Sequence, residues 1–148
     1  MEEKKHIEVC FSPFLYELHK NDYEIIVVID VLRATSAICT AFDYGVNSII
    51  PVDSVEIARE YQAKGYLVGA ERQGKIVEGF DFGNSPFSYM KEEIKGKDVV
   101  LTTTNGTKAI HLAKDADQVV IGSLLNLDAL CEWLENQNKH TLCLCSGW

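Results

Sequence analysis

Three clusters of polar side chains contain the residues of this sequence that could bind a small anion and a divalent cation together. The first covers residues 30–36 and reads DVLRATS. The second lies within residues 71–86, where it begins with ER and ends with GFDFGNSP. The third covers residues 102–107 and reads TTTNGT. Carboxylates are ligands that Mg²⁺ prefers, whereas guanidinium, hydroxyl and free backbone N–H groups bind the oxygens of an anion.

The first cluster places one carboxylate before a predicted helix start. Asp30 ends a predicted strand and could hold a divalent cation. Arg33, Thr35 and Ser36 lie where the helix begins, so their side chains and the free N–H groups could meet an anion. The alternative is an ordinary helix cap with an Arg–Asp ion pair. A haloacid-dehalogenase-type phosphatase is disfavoured, because it needs a second aspartate two positions after the first and Leu32 stands there.

The second cluster combines two carboxylates with three donors. Glu71 and Asp81 are candidate metal ligands or general bases. Arg72, Asn84 and Ser85 are candidate donors to phosphate or sulfonate oxygens. The alternative is a structured Ω-loop in which the Gly and Asn residues only supply turn geometry.

The third cluster surrounds an Asn-Gly pair with four threonines, which predicts an anion nest at a strand-to-helix junction. Its candidate binders are Thr104, Asn105, Gly106 and Thr107. The cluster lacks the Gly-x-x-x-x-Gly-Lys pattern of a Walker A loop. Asn-Gly also favours a β-hairpin, but the helical pattern after residue 107 disfavours that alternative.

Short apolar, β-branched runs alternate with helical patterns along the chain, which predicts an α/β domain. The near-continuous apolar character of the runs is typical of strands covered on both faces. We therefore expect a three-layer α/β/α architecture with a mostly parallel or mixed sheet. Predicted strands cover residues 24–30, 48–52, 66–70, 98–102, 118–121 and 140–145, and predicted helices cover residues 34–44, 54–64, 107–114 and 127–136.

The helix over residues 54–64 has the clearest predicted ends. Asp53 is expected to cap it, Glu56 completes a capping-box-like pattern, and Gly65 is expected to end it.

The polar clusters are expected to share one edge of the sheet. In open α/β sheets, ligands bind beyond the carboxyl ends of the strands. Each cluster begins at or just after a predicted strand, and Ser146 and Gly147 follow the last one.

Length, charge and composition exclude several classes of protein. The 148 residues fit one domain, and the net charge of −8 argues against a nucleic-acid footprint. No run of about 18 apolar residues predicts a membrane span, and the charged N-terminus does not resemble a signal peptide, so a cytoplasmic location is expected. The five cysteines have scattered spacings, which predicts reduced thiols.

The chain stops just after a predicted strand, so we interpret residues 1–148 as a single α/β domain that forms the N-terminal part of a longer protein. A hydrophobic face left uncovered in this way would favour a homo-oligomer.

In this order and spacing, the three clusters resemble the motifs of the 2-phosphosulfolactate phosphatase family, from about Ile26 to the C-terminus. That family hydrolyses the phosphate ester of a small sulfonated hydroxy acid with Mg²⁺, on the route to coenzyme M. The resemblance implies a phosphoric monoester hydrolase that converts 2-phosphosulfolactate to sulfolactate and phosphate.

The resemblance supplies positions to which residue chemistry then assigns roles. The expected metal ligands are Asp30, Glu71 and Asp81, and the expected catalytic residues are Asp30, Arg33 and Glu71. A carboxylate that orients water and an Asp30 nucleophile both stay open as routes. The expected substrate-binding residues are Thr35, Ser36, Arg72, Asn84, Ser85, Thr104, Asn105, Gly106 and Thr107.

Two other functions compete with this one. A non-catalytic module for small phosphorylated or sulfonated acids would use the same anion binders and need no metal. A purely structural domain would leave three polar clusters at strand ends without an explanation.

Overall fold

The computed structural model describes residues 5–146, in which strands and helices alternate and confirm the α/β class. Gly147 lies outside the described residues. Within them, no helix is long and apolar enough to cross a membrane. The strands are β1 (Ile7–Cys10), β2 (Ile25–Ile29), β3 (Ser48–Pro51), β4 (Leu67–Arg72), β5 (Lys75–Ile76), β6 (Asp98–Thr102), β7 (Gln118–Gly122) and β8 (Thr141–Cys145). The α-helices are α1 (Ala34–Asp43), α2 (Val55–Ala63), α3 (Gly106–Leu112) and α4 (Leu127–Glu135), and 3-10 helices cover Pro13–Leu18, Pro86–Tyr89, Glu92–Ile94 and Leu124–Asn126.

The strands divide between two four-stranded sheets. One has the order β1-β8-β2-β7 and is parallel throughout. The other has the order β3-β6-β4-β5 and is parallel except for the β4–β5 hairpin. The predicted parallel or mixed character is therefore confirmed. The division into two sheets was not predicted, because an apolar run reports the burial of a strand and not the identity of its hydrogen-bonding partner.

The six predicted strands correspond to β2, β3, β4, β6, β7 and β8, and the four predicted helices to α1–α4. The strands β1 and β5 were not predicted. Ile7, Glu8 and Val9 of β1 are exposed, and β5 has two exposed residues, so neither carries the buried apolar run that identifies a strand.

Helix α2 is capped by Ser54 and not by Asp53. The Ser54 side chain accepts a hydrogen bond from the N–H of Ile57 at 3.2 Å, which satisfies a free donor of the first turn. Asp53 instead places its Oδ2 3.2 Å from Nε2 of His111. The helix ends before Gly65 as predicted, at φ +88°, a left-handed conformation that suits glycine.

Buried apolar side chains form three packed clusters around the sheets. Ile26 of β2 and Leu144 of β8 belong to the first cluster, and Phe82 and Tyr89 pack with α1 and β6 in the second. Each large side chain of this kind stabilises the fold by roughly 1.5–3 kcal/mol when fully buried. The second cluster matters most for the site, because it anchors the segment that carries the GNSP motif.

The carboxyl ends of strands from both sheets meet at one edge of the molecule. β2 belongs to one sheet, and β4 and β6 to the other. Helices α1 and α3 begin just beyond β2 and β6, and their first turns touch: a Cβ placed on Gly106 would lie only 2.4 Å from Cβ of Ala34. This contact draws the ends of the two sheets together and creates the space between them.

Candidate active site

A cavity of about 600 Å³ lies at this edge and collects residues from all three polar clusters. Its lining combines two carboxylates, one guanidinium, three amide or hydroxyl side chains predicted from sequence, and three residues that were not predicted. The lining residues are Asp30, Leu32, Arg33, Glu71, Gln73, Gly74, Asn84, Thr104 and Asn105.

Asp30 follows β2 and directs its carboxylate at the first turns of α1 and α3. The backbone N–H groups of Arg33, Ala34 and Gly106 lie close to this carboxylate as potential donors. Burial raises the pKa of this carboxyl above its ordinary value of 3.8, the three donors act in the opposite direction, and the charge of Glu71 raises it further. Asp30 therefore has a fixed orientation and a perturbed proton affinity, a combination frequent at functional sites.

Glu71 lies near the end of β4 and is only 7% exposed. Its Oε1 accepts a hydrogen bond from the N–H of Gly74 at 2.5 Å. The Thr104 hydroxyl lies 3.4 Å from both carboxylate oxygens, and the Thr104 N–H lies 3.5 Å from Oε2. The β4–β5 turn and the TTTNGT cluster thus hold this carboxylate in the cavity from two directions.

The turn between β4 and β5 contacts both the guanidinium of Arg33 and the carboxylate of Glu71. Gln73 and Gly74 have φ values of +54° and +77°, the pattern of a type I′ hairpin turn. Nη2 of Arg33 donates to the Gly74 carbonyl at 3.4 Å. Since the N–H of Gly74 binds Glu71, this single residue links the guanidinium of the first cluster to the carboxylate of the second.

Asn84 lines the cavity although it is only 6% exposed. The Tyr89 hydroxyl donates to the Gly83 carbonyl at 2.8 Å and fixes the loop just before Asn84. In the described part of the chain, the Asn84 side-chain oxygen Oδ1 is buried without a hydrogen-bond partner. An unsatisfied buried acceptor of this kind costs about 1–3 kcal/mol.

Three predicted binders hold the loops and do not line the cavity. Oγ1 of Thr35 accepts the N–H of Asp30 at 3.0 Å. The Ser36 hydroxyl donates to a carbonyl of the loop before α1 at 2.7 Å. Oγ1 of Thr107 accepts the N–H of Thr103 at 3.0 Å and donates to the Thr103 carbonyl at 3.2 Å. Their hydroxyl groups are engaged within the chain, so their direct role in substrate binding stays a prediction.

Arg72 is not brought to the cavity with its neighbour Glu71. β4 extends through Arg72, and adjacent residues of a strand point to opposite faces. The Arg72 guanidinium donates to the Glu71 carbonyl at 2.6 Å and to Oγ1 of Thr102 at 3.0 Å. Arg72 is thus absent from the cavity lining, and its role in substrate binding stays a prediction.

Asp81 and Ser85 also lie apart from the cavity lining. Asp81 is exposed, and its Oδ2 accepts the N–H of Val68 at 2.9 Å. Val68 precedes Glu71 by three residues, or about 10 Å along a strand. The predicted set of three metal-binding carboxylates is therefore not assembled. Ser85 precedes the 3-10 helix Pro86–Tyr89 and makes no side-chain cap there.

The donor atoms in the cavity nevertheless suit a magnesium ion. Within residues 5–146, no group of three or more His, Cys, Asp and Glu residues is arranged to hold a metal. Mg²⁺, however, is usually bound through one or two carboxylates together with substrate phosphate and water. The carboxylates of Asp30 and Glu71 supply oxygen atoms of that kind.

Leu32, Gln73 and Gly74 line the cavity but were not predicted from the sequence. Leu32 is 89% exposed at the cavity rim. Nothing in the sequence around it distinguishes it from an ordinary surface residue. The Gln-Gly pair between Arg72 and Lys75 was a signal for a two-residue turn, weaker than the Asn-Gly or Asp-Gly pairs typical of such turns.

Comparison with known proteins identifies relatives along most of the chain. The profile of a family described as 2-phosphosulpholactate phosphatase matches residues 10–148. A Clostridium perfringens protein named "Probable 2-phosphosulfolactate phosphatase" is 45% identical over 147 residues, covering 95% of this chain and 60% of the relative. Proteins of the same name from Thermotoga maritima and Caldanaerobacter subterraneus are 46% and 40% identical, each covering 82% of this chain and 52% of the relative.

The chain spans about half to three fifths of the length of these curated relatives. The matched region nevertheless contains every residue that lines the cavity. The profile match and the identities above 40% together show that the chain belongs to the 2-phosphosulfolactate phosphatase family.

Proposed function

We propose that this chain forms the catalytic cavity of a Mg²⁺-dependent phosphatase that hydrolyses 2-phosphosulfolactate to sulfolactate and phosphate. The observation that carries the proposal is the convergence of Asp30, Glu71 and Arg33 on one cavity at the strand ends. The substrate is inferred from the name that the relatives bear. Function in coenzyme M biosynthesis, a cytoplasmic location and a homo-oligomeric state stay predictions.

The charge of the lining supports a need for a cation. Asp30 and Glu71 each contribute a negative charge when ionised, and Arg33 contributes one positive charge, so the lining carries a net charge near −1. A phosphate ester with a second acidic group is itself strongly anionic. A divalent cation would reverse the sign of the local charge and polarise a phosphoryl oxygen.

The residues of the chain would orient and stabilise the reacting phosphate. The Arg33 guanidinium and the side-chain amide of Asn105 line the cavity and would donate to its equatorial oxygens. Stabilisation of this kind acts on charge that spreads over those oxygens in the transition state.

Two routes fit the position of the carboxylates. In the first, an Asp30 oxygen attacks phosphorus, the bond to the ester oxygen breaks, and water then hydrolyses the aspartyl phosphate. In the second, Glu71 accepts a proton from a water molecule as the water oxygen attacks phosphorus, the bond to the ester oxygen breaks, and the departing oxygen takes up a proton. Borohydride trapping during turnover distinguishes them, because only the first route forms a reducible acyl phosphate at Asp30.

The proposal is tested by phosphate release from 2-phosphosulfolactate, with Mg²⁺ and with EDTA. Asp30→Asn is expected to lower the Mg²⁺-dependent rate by at least about 100-fold. Asp81→Asn is the matched control, because this carboxylate lies outside the cavity, and it should leave the rate close to that of the unsubstituted chain. Release that persists in EDTA or in Asp30→Asn would contradict the proposal.

A binding module is the second candidate, because the chain covers only 52–60% of its relatives. It would bind inorganic phosphate in the cavity without hydrolysing the ester. Phosphate binding that is independent of Mg²⁺, together with no phosphate release, would favour this alternative.

A further inference from the structure

The turn between β4 and β5 connects two opposite charges of the cavity through one neutral residue. Gly74 donates its N–H to Oε1 of Glu71 at 2.5 Å, and its carbonyl accepts a hydrogen bond from Nη2 of Arg33 at 3.4 Å. We propose that Gly74 is a positioning residue that keeps the Arg33 guanidinium and the Glu71 carboxylate apart, so that both stay available to a phosphorylated substrate. This inference rests on the proposed function, because it takes the cavity as the place where phosphate binds.

The guanidinium and the carboxylate share one cavity but do not form an ion pair. Arg33 and Glu71 both line the cavity, and within residues 5–146 neither of them takes part in a salt bridge. Glu71 is only 7% exposed, and opposite charges attract each other more strongly where little water lies between them. A direct pair would occupy the guanidinium that is expected to bind phosphate. Some part of the chain must therefore oppose this pairing, and Gly74 contacts both groups.

The hydrogen bonds to Gly74 orient both charged groups without compensating their charges. A guanidinium has five N–H donors, and the Gly74 carbonyl engages only the Nη2 atom of Arg33. This carbonyl is neutral, so the positive charge and the other donors are left for an anion. Glu71 is held in the same way by neutral donors, namely the N–H of Gly74 and the N–H and hydroxyl of Thr104.

The turn is anchored to one sheet and reaches a charged residue that follows a strand of the other. The N–H of Val77 donates to the Ala70 carbonyl at 3.1 Å and closes the hairpin onto β4. A Cβ on Gly83 would lie 2.5 Å from Cγ1 of Ile76, so a neighbouring loop packs closely against β5. Arg33, in contrast, lies between β2 and α1. The hairpin can therefore hold the guanidinium at a fixed place relative to β4.

The backbone conformation of Gly74 makes this role testable. Gly74 has φ +77°, a left-handed conformation that glycine adopts readily and most other residues avoid. A Cβ placed on it would have no atom within 4 Å, so the added side chain itself meets no obstacle. A substitution therefore acts through φ alone. Asparagine tolerates the left-handed region, whereas a β-branched residue such as valine does not.

Gly74→Val and Gly74→Asn separate the backbone conformation from the bulk of an added side chain. NMR titration with inorganic phosphate in EDTA measures the affinity of the cavity for an anion without a contribution from a cation. Gly74→Val should weaken phosphate binding by about 10-fold, because a displaced turn lets Arg33 pair with Glu71. Gly74→Asn should keep the affinity within about threefold of the unsubstituted chain.

A double substitution tests the pairing directly. Glu71→Gln removes the carboxylate charge that would capture Arg33. The gain in phosphate affinity from Glu71→Gln should be about fivefold larger in Gly74→Val than in the unsubstituted chain. The general effect of removing a negative charge occurs in both chains and cancels in this comparison. A turn that only stabilises the fold predicts the same gain in both chains.

Gly96→Val is the matched control. Gly96 also has a left-handed φ, of +69°, and nothing within 4 Å of its Cβ position. It lies just before the start of β6, whereas the cavity lies beyond the carboxyl end of that strand. This substitution should lower the thermal stability and leave phosphate affinity unchanged. Thermal unfolding checks that each variant folds, and Gly74→Ala replaces Gly74→Val if valine prevents folding.

Failure of this inference can be distinguished from failure of the proposed function. Equal phosphate affinity in Gly74→Val and Gly96→Val would overturn this inference, and so would equal gains from Glu71→Gln in the two chains. No phosphate binding by the unsubstituted chain in EDTA also overturns it, because Arg33 would then not be held ready for an anion. The proposed function is judged separately, by Mg²⁺-dependent phosphate release from the unsubstituted chain.

Discussion

Replacement of Gly106 with alanine tests whether the contact between α1 and α3 shapes the cavity. The new Cβ would lie 2.4 Å from Cβ of Ala34 and 2.7 Å from Oδ2 of Asp30. Ordinary van der Waals contact begins at 3.4 Å, so the first turns of the two helices must separate by about 1 Å, the difference between the two distances.

This separation should lower both the free energy of unfolding and the rate of phosphate release. Overpacking of a well-packed site lowers the free energy of unfolding by about 1–3 kcal/mol. At roughly 2–4 °C per kcal/mol for a chain of this size, Tm should fall by about 2–12 °C. Because Asp30 is one of the displaced groups, a shift of about 1 Å should also lower the rate of phosphate release by roughly 100-fold.

Thermal unfolding, Mg²⁺ titration and phosphate release measure these effects on the same preparation. Gly65→Ala is the control, because Gly65 has φ +88° and nothing within 4 Å of its Cβ position. Alanine in that conformation costs about 1–2 kcal/mol far from the cavity, so stability should fall while Mg²⁺ affinity and rate are kept. A Gly106→Ala chain with full rate and full Mg²⁺ affinity would refute the view that this contact positions Asp30.

Three further predictions concern the charged groups. Glu71→Gln removes a like charge and should lower the pKa of Asp30, measured by carbon-13 NMR of the carboxyl group; an unchanged pKa would mean that the two carboxylates do not interact. Asp30→Asn should raise the free energy of unfolding at neutral pH. Asp30 keeps its proton to a higher pH in the folded chain than in the unfolded chain, so the unsubstituted chain should lose stability as pH rises above 3.8 and the variant should not. Denaturant titrations below and above that pH should show that the difference in free energy of unfolding between the two chains disappears at acid pH. Arg33→Met should weaken inorganic phosphate binding by roughly 10–100-fold, whereas Arg72→Met, on the other face of β4, should not; equal losses would contradict the placement of Arg72.

The strands that could be predicted are those whose own residues report burial. Ile25 to Val28 of β2 are all buried, so the run EIIVVID identifies a central strand without further information. β1 could not be found in this way because its side chains are largely exposed. Its partner is β8, with Ile7 opposite Thr141, and a pairing across so much of the chain leaves no local signal.

Site residues could be placed from the sequence where they directly follow a predicted strand end, and they were misplaced where the predicted strand end was wrong. Asp30 comes directly after β2, as expected. The strand before Glu71 was expected to stop at Ala70 but continues to Arg72, which places Glu71 and Arg72 on opposite faces. Asp81 lies outside the cavity lining for a different reason: its Oδ2 accepts a backbone N–H of β4, a contact that no spacing in the sequence indicates.

Several features that oppose folding are concentrated in the cavity, and this is independent support for a binding site. Asp30 has a raised pKa because it is buried, Oδ1 of Asn84 lacks a partner, and Gln73 adopts φ +54°, where a side chain is disfavoured. Among the described side chains, the other unpaired buried oxygen is that of Gln118, at the opposite end of β7. A ligand that binds only the folded chain stabilises it by mass action. A cation bound beside the two carboxylates would offset the cost of burying the Asp30 charge. The family match shows to which family the chain belongs, whereas the buried Asp30 carboxyl and the backbone of Gln73 support the cavity as a binding site.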